Sequence, residues 1–245
     1  MSDINRFEDD GGLVPFDKGG KLPPATRRYF QERIDRGDTL IPGIASDGTQ
    51  LGPPIRRDIH PDLDPQRVQD AARVLLSNAA GLDVTTPHGR ETPKRFVQML
   101  KELTTPEEFN FTTFPADYDE MIIVRNLPFV SLCNHHVVPF HGVAHIGYVP
   151  NELMAGLSKF GRTVKYFAKR LQVQEELTND IATYLQDMLS PKGVIVMMEA
   201  EHLCMTIRGV QMPGAMTRTT CVKGVFADHD RTAKMEFLSA INGGH

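Results

Sequence analysis

Two pairs of apolar stretches with period 2 flank two consecutive segments of helical period. That order constrains the fold more than any other feature of this 245-residue chain. Met121–Val124 and Gly142–Val149 read as strands, in which successive side chains point to opposite faces. Leu157, Phe160, Val164, Phe167 and Leu171 then trace one helix face. Leu177, Ile181, Leu185 and Met188 trace a second, which stops near Ser190-Pro191. A long strand over Val194–Arg208 follows, and another over Thr217–Val225. Strand pairs separated by a helical pair predict an α+β domain with helices packed on an antiparallel sheet.

Upstream, two helix starts share one device. Asp64-Pro65 puts a capping carboxylate before a proline, and Val68, Ala71, Ala72 and Leu75 recur at helical spacing. Thr92-Pro93 repeats it ahead of Phe96, Met99, Leu100 and Leu103. This defines a helical region over residues 62–118, before the sheet-bearing domain of residues 119–245. Residues 1–61 differ: they carry glycine pairs at Gly11 and Gly19, proline pairs at Pro23 and Pro53, and little periodicity. Only Thr26–Arg36 offers a short polar helix. The segment is expected to be a flexible arm that orders, if at all, against a partner subunit.

Composition narrows the class. Apolar residues make up 40% and charged residues 24%, as in ordinary globular proteins. The formal net charge of −4 removes the electrostatic footprint of a general nucleic-acid binder. The polar start MSDINRFEDD is no signal peptide, and no apolar run approaches the roughly 18 residues needed to span a bilayer. Three cysteines are too few for a disulfide framework and fit a reducing compartment, so a cytoplasmic location is expected.

The densest chemistry lies in Ser131-Leu-Cys-Asn-His-His-Val-Val-Pro-Phe-His141. Cys133 and His136, three apart, reach one metal from a turn, whereas a flat strand would send them to opposite faces. Thiolate and imidazole together suit zinc. In the segment Glu199–Arg208, a strand period puts His202, Cys204, Thr206 and Arg208 on one face. Cys133, His136 and Cys204 would then form a Cys₂His zinc site with a fourth position open for water, the catalytic pattern. Cys221 is the alternative third thiol, although Thr219, Thr220 and Val222 around it suit an ordinary strand cysteine. Lys159, Arg162, Lys165 and Lys169 form a basic stripe. The stripe is either a solvated face or, with Ser158 at the helix start, an anion site.

Three segments carry a resemblance: CNHHVVPFHGVAHIGYVP, GLSKFGRTVKYFAKRLQVQEELT and EAEHLCMTIRGVQMPGAMT. They resemble the signature blocks of GTP cyclohydrolase I, and the likeness spans Leu63 to Ile241. It implies a tunnelling fold (T-fold) in which sheets from five subunits close a barrel and two rings make a homodecamer. It implies conversion of GTP and water to 7,8-dihydroneopterin triphosphate and formate, the first step toward tetrahydrofolate, other pterins or deazapurines. By position it implies that Cys133, His136 and Cys204 bind Zn²⁺ and that His135 and His202 are catalytic. Gln174 and Glu175 match guanine contacts. Ser158, Lys159, Arg162, Arg208 and Arg95 match triphosphate contacts, with active sites between subunits.

Elementary chemistry agrees with that implication. Attack of water at C8 of a purine calls for an activated hydroxide, and ring opening calls for a general acid near neutral pH. A carboxylate accepts from both N1–H and the exocyclic amine of guanine, donors that adenine cannot offer together. The chain departs from the family at Asn134, where Glu is usual, at Ala233-Lys234 in the closing motif, and at Gln98, where many members are basic. Two rivals remain at this level: a non-catalytic zinc assembly, and a same-fold purine or pterin enzyme with another substrate. His135 and His202 argue against the first, and the Gln174-Glu175 pair against the second.

Overall fold

The computed structural model describes residues 64–228 and 231–242. The arm expected over residues 1–61, with its short helix at Thr26–Arg36, lies outside them.

Helix α1 (Pro65–Ala80) starts as the sequence predicts: the Asp64 carboxylate accepts from the Gln66 N–H at 2.9 Å. Helix α2 (Thr92–Thr104) differs in detail. Thr92 is its first helical residue rather than its cap, and the hydroxyl turns back to the His88 carbonyl at 3.3 Å. Glu91 occupies the cap position without a side-chain cap bond. The short strand β1 (Thr113–Pro115) follows and pairs with β4 (Leu153–Ala155).

The main sheet runs in the order β5-β2-β3-β6-β7. Its strands are β2 (Ile122–Cys133), β3 (Pro139–Val149), β5 (Leu171–Gln172), β6 (Gly193–His202) and β7 (Met216–Gly224). All pairings are antiparallel except the two-residue β5, which lies parallel to the end of β2. β2 continues far past Val124, where the period-2 reading stops. A bulge between Val124 and Leu127 holds Asn126 at φ +59 and breaks the alternation without ending the strand.

β6 ends earlier than expected. Its last partners are Phe140 on β3 and, for Glu201, Met216 on β7. The next position on β3 is Pro139, which has no N–H to donate. With no ladder on either side, the chain forms one helical turn over Leu203–Thr206. The predicted strand to Arg208, and the one-face argument built on it, is therefore corrected.

Helices α3 (Leu157–Ala168) and α4 (Gln174–Leu189) cover one face of the sheet and bury the main core. Phe160, Leu177, Ile181 and Leu185 are fully buried there against Ile146, Val194 and Val196. A fifth helix, α5 (Thr232–Asn242), was not expected from the sequence. It covers part of the opposite face and seats Phe237 on Ile195 and Met197. Gly147 permits that approach, since a Cβ there would stand 2.6 Å from the Phe237 ring. Among the described residues, no helix is long and apolar enough to cross a membrane.

Two features of the sheet bear on assembly. β5 covers only Leu132 and Cys133, so the rest of the outer edge of β2 has no strand partner among the described residues. The outer edge of β7 has none either.

Candidate active site

The β2–β3 connection is a tight turn closed at its base. The Cys133 N–H donates to the Val138 carbonyl, and the Val137 N–H to the Cys133 carbonyl, each at 2.9 Å. Val137 sits at φ +54, a left-handed conformation that costs a β-branched residue about 1–3 kcal/mol. A polar network underneath holds the turn. The buried Gln172 side chain donates to Ser131 Oγ at 2.8 Å and to the Phe167 carbonyl at 2.7 Å, while the main-chain carbonyl of Gln172 accepts from the Asn134 N–H at 3.1 Å. Arg170 donates to Gln172 Oε1 at 2.7 Å and pairs with Asp180.

This turn brings Cys133 and His136 to the helical turn that carries Cys204. Their donor atoms all lie within 4.8 Å of one another. Cys133 Sγ is 3.9 Å from His136 Nδ1. Tetrahedral zinc, with bonds of about 2.3 Å to sulfur and about 2.0 Å to nitrogen, sets that edge near 3.6 Å. The two thiols are free, and burial, followed by the adjacent Cys133 sulfur, pushes the Cys204 thiol up. A soft donor set that can exchange thiol protons for a divalent cation fits zinc. The structure groups the three residues that the sequence reading put together, although the element carrying Cys204 is a helical turn and not a strand. Cys221 does not join it; its burial-raised thiol points to Asn179 Oδ1 at 3.6 Å.

Two further histidines border the group. His135 Nδ1 lies 3.9 Å from Cys133 Sγ, outside the metal-capable trio. His202 stacks on Phe140, with centroids 4.7 Å apart and planes at 1°, and its Nε2 lies 2.7 Å from Gln174 Oε1. Burial lowers the His202 pKa against the opposing charge of Glu175. Glu175 itself is exposed on the first turn of α4. Arg208 Nη1 lies 2.9 Å from His136 Nε2, which puts a guanidinium beside the donor group. The sequence reading missed Phe140, Gln172 and Ser131. Their only signal was position next to the metal segment.

The remaining expected contacts lie elsewhere. Gly161 of α3 packs over Leu127 of β2, six residues before Cys133. At a strand rise of about 3.3 Å, that is about 20 Å along the sheet. The C-terminal end of α3 faces the metal turn, through the Phe167 carbonyl and Gln172. Ser158, Lys159 and Arg162 thus occupy the far half of the helix. Lys159 is not part of a solvated stripe, since it is only 4% exposed. Arg162, Lys165 and Lys169 line a cavity of about 470 Å³ against Phe129 and Val130. Arg95 is exposed on α2.

An α+β sheet carrying a Cys-His-Cys group beside two more histidines defines a metal-capable centre. The GTP cyclohydrolase I family profile matches residues 68–242. GTP cyclohydrolase 1 of Halalkalibacterium halodurans is 43% identical over 187 residues, covering 74% of this chain and 98% of that protein. The enzymes of Aquifex aeolicus and Lysinibacillus sphaericus are 43% and 40% identical over 183 and 186 residues. Each again covers 74% of this chain, with 98% and 97% of their own length. The chain belongs to the GTP cyclohydrolase I family, and its activity is that of a GTP cyclohydrolase I.

Proposed function

We propose that the chain is a zinc-dependent GTP cyclohydrolase I that converts GTP and water to 7,8-dihydroneopterin triphosphate and formate, a first step of tetrahydrofolate, pterin or deazapurine synthesis. The observation that carries this reading is the convergence of Cys133, His136 and Cys204, with donor atoms within 4.8 Å of one another, while His135 lies beside Cys133 and His202 two residues before Cys204. A zinc ion held by the three donors would supply the Lewis acid that makes water nucleophilic near neutral pH. His135 and His202 move protons to and from the opening ring. Glu175, exposed beside His202, accepts from N1–H and the exocyclic amine of guanine, with Gln174 adjacent. Arg208, Arg95, Ser158, Lys159 and Arg162 carry the triphosphate.

The far placement of the Ser158–Arg162 half of α3 favours an active site shared between chains. Its helix start turns away from the metal turn of its own chain. The unpartnered edges of β2 and β7 suit a ring in which one chain continues the sheet of the next. We infer a homo-oligomer, ten chains by family resemblance. Incubation with GTP should release formate and a pterin that fluoresces after oxidation. Intact GTP after prolonged incubation of zinc-loaded protein would refute the assignment.

A further inference from the structure

Gln174 is an odd residue to hold a substrate, because its side chain is spoken for by the protein. It is 1% exposed. Its Nε2 lies 3.1 Å from the Met198 carbonyl, from the Thr217 carbonyl and from Thr219 Oγ1. Two of those partners are carbonyl oxygens, which only accept. The atom facing them must therefore be the NH₂ group, since a flipped amide would set oxygen against oxygen at 3.1 Å. Thr178 donates to the Gln174 main-chain carbonyl at 2.7 Å. Its one proton is then used, so Thr219, 2.6 Å away, donates to Thr178. Thr219 also faces the Gln174 NH₂, whose two hydrogens are shared among three acceptors.

With the amide fixed, Oε1 faces His202 Nε2 at 2.7 Å. An amide oxygen accepts, so Nε2 carries the hydrogen and the neutral ring keeps its lone pair on Nδ1. Phe140, stacked on the imidazole, fixes the plane in which this occurs.

We propose that Gln174 is a positioning residue that sets the tautomer of His202, holding the hydrogen on Nε2 and leaving the ring lone pair on Nδ1. This rests on the reading of His202 as a catalytic residue. Recognition of guanine is left to Glu175.

Three measurements test the proposal. Neutron diffraction from zinc-loaded wild-type crystals grown in heavy water at alkaline pH should place a deuteron on Nε2 toward Gln174 and none on Nδ1. A deuteron on Nδ1 with a bare Nε2 would overturn the proposal without any variant having to fold. Gln174→Met should lower kcat about 10- to 100-fold, as loss of an orienting partner does, with KM for GTP nearly unchanged. A raised KM with native kcat would instead make Gln174 a contact to the base. In a His202→Ala background, Gln174→Met should cost nothing further, because it acts through that ring, and a full additional loss would contradict this. Near-native turnover of His202→Ala would sink the underlying reading. A crippled His202→Ala alongside an unaffected Gln174→Met would sink only the tautomer assignment.

Discussion

The metal turn and the basic half of α3 are both dense in polar and charged side chains, yet they are held in different ways and lie apart along the sheet. Around Cys133 the fold supplies everything locally. A closed turn strained at Val137, a buried Gln172 network, the helical turn bearing Cys204 and the stacked His202 all converge on a few ångströms. Around Ser158–Arg162 the cations are held on a buried helix face and beside a cavity, but their own metal turn lies at the other end of the helix. The difference teaches that the metal turn and the Ser158–Arg162 cations of one chain lie toward opposite ends of α3, which is the ground for the proposal of a site shared between chains.

The comparison breaks first at the metal. Cys204→Ser should abolish zinc binding and reduce turnover to background, since a hydroxyl is a far poorer zinc ligand than a thiolate. Elemental analysis checks this, and full zinc occupancy would contradict it. His135→Ala and His202→Ala should keep zinc and fold yet slow turnover by roughly 10² to 10⁴. Zinc loss in His135→Ala would mean that the two neighbouring histidines exchange roles.

The basic half of α3 should respond differently. Arg162→Ala removes a charge-assisted contact of about 1.5–3 kcal/mol and should raise KM for GTP roughly 10- to 100-fold, leaving zinc untouched. Steady-state kinetics beside metal analysis would show the split. A zinc-depleted Arg162→Ala protein would mean that the two regions are one.

The smallest effect concerns the loop after Cys204. Hydrogen bonds from the Gly214 N–H and the Thr206 hydroxyl hold the Glu201 carboxyl below the usual carboxylate range. A lowered folded-state pKa gives stability that is present above the unfolded value and lost as pH falls through the folded one. Glu201→Gln should therefore flatten the acid limb of the stability curve, read by circular dichroism. An unchanged acid limb would count against the role of this carboxylate.

Much of this was legible in the sequence, for reasons that differ by residue. The C-x-x-H spacing of Cys133 and His136 announced a turn because only a turn brings those side chains together. The α3 and α4 faces were clear because their apolar residues recur with helical period. The extent of β6 was not legible, since it depends on where β3 and β7 stop offering partners. Helix α5 left a weak signal in Ala233, Phe237 and Ile241, spaced four apart, but its short run resembles loop composition. The burial of Lys159 and the hydrogen bonds around Gln174 arise from tertiary packing, to which local pattern is blind.

The shared site is tested most directly by mixing chains. Cys204→Ser protein lacks the metal half and Arg162→Ala protein lacks the phosphate half, so each alone is impaired in a different way. When the two are unfolded together and reassembled at equal ratio, about a quarter of the sites should combine a native metal turn with a native α3 from a neighbour. At GTP concentrations below the KM of Arg162→Ala, the mixed oligomer should recover turnover well above the average of its parents. Turnover equal to that average in a verified mixed oligomer would show that each chain uses its own helix, and would contradict the division of the site between subunits.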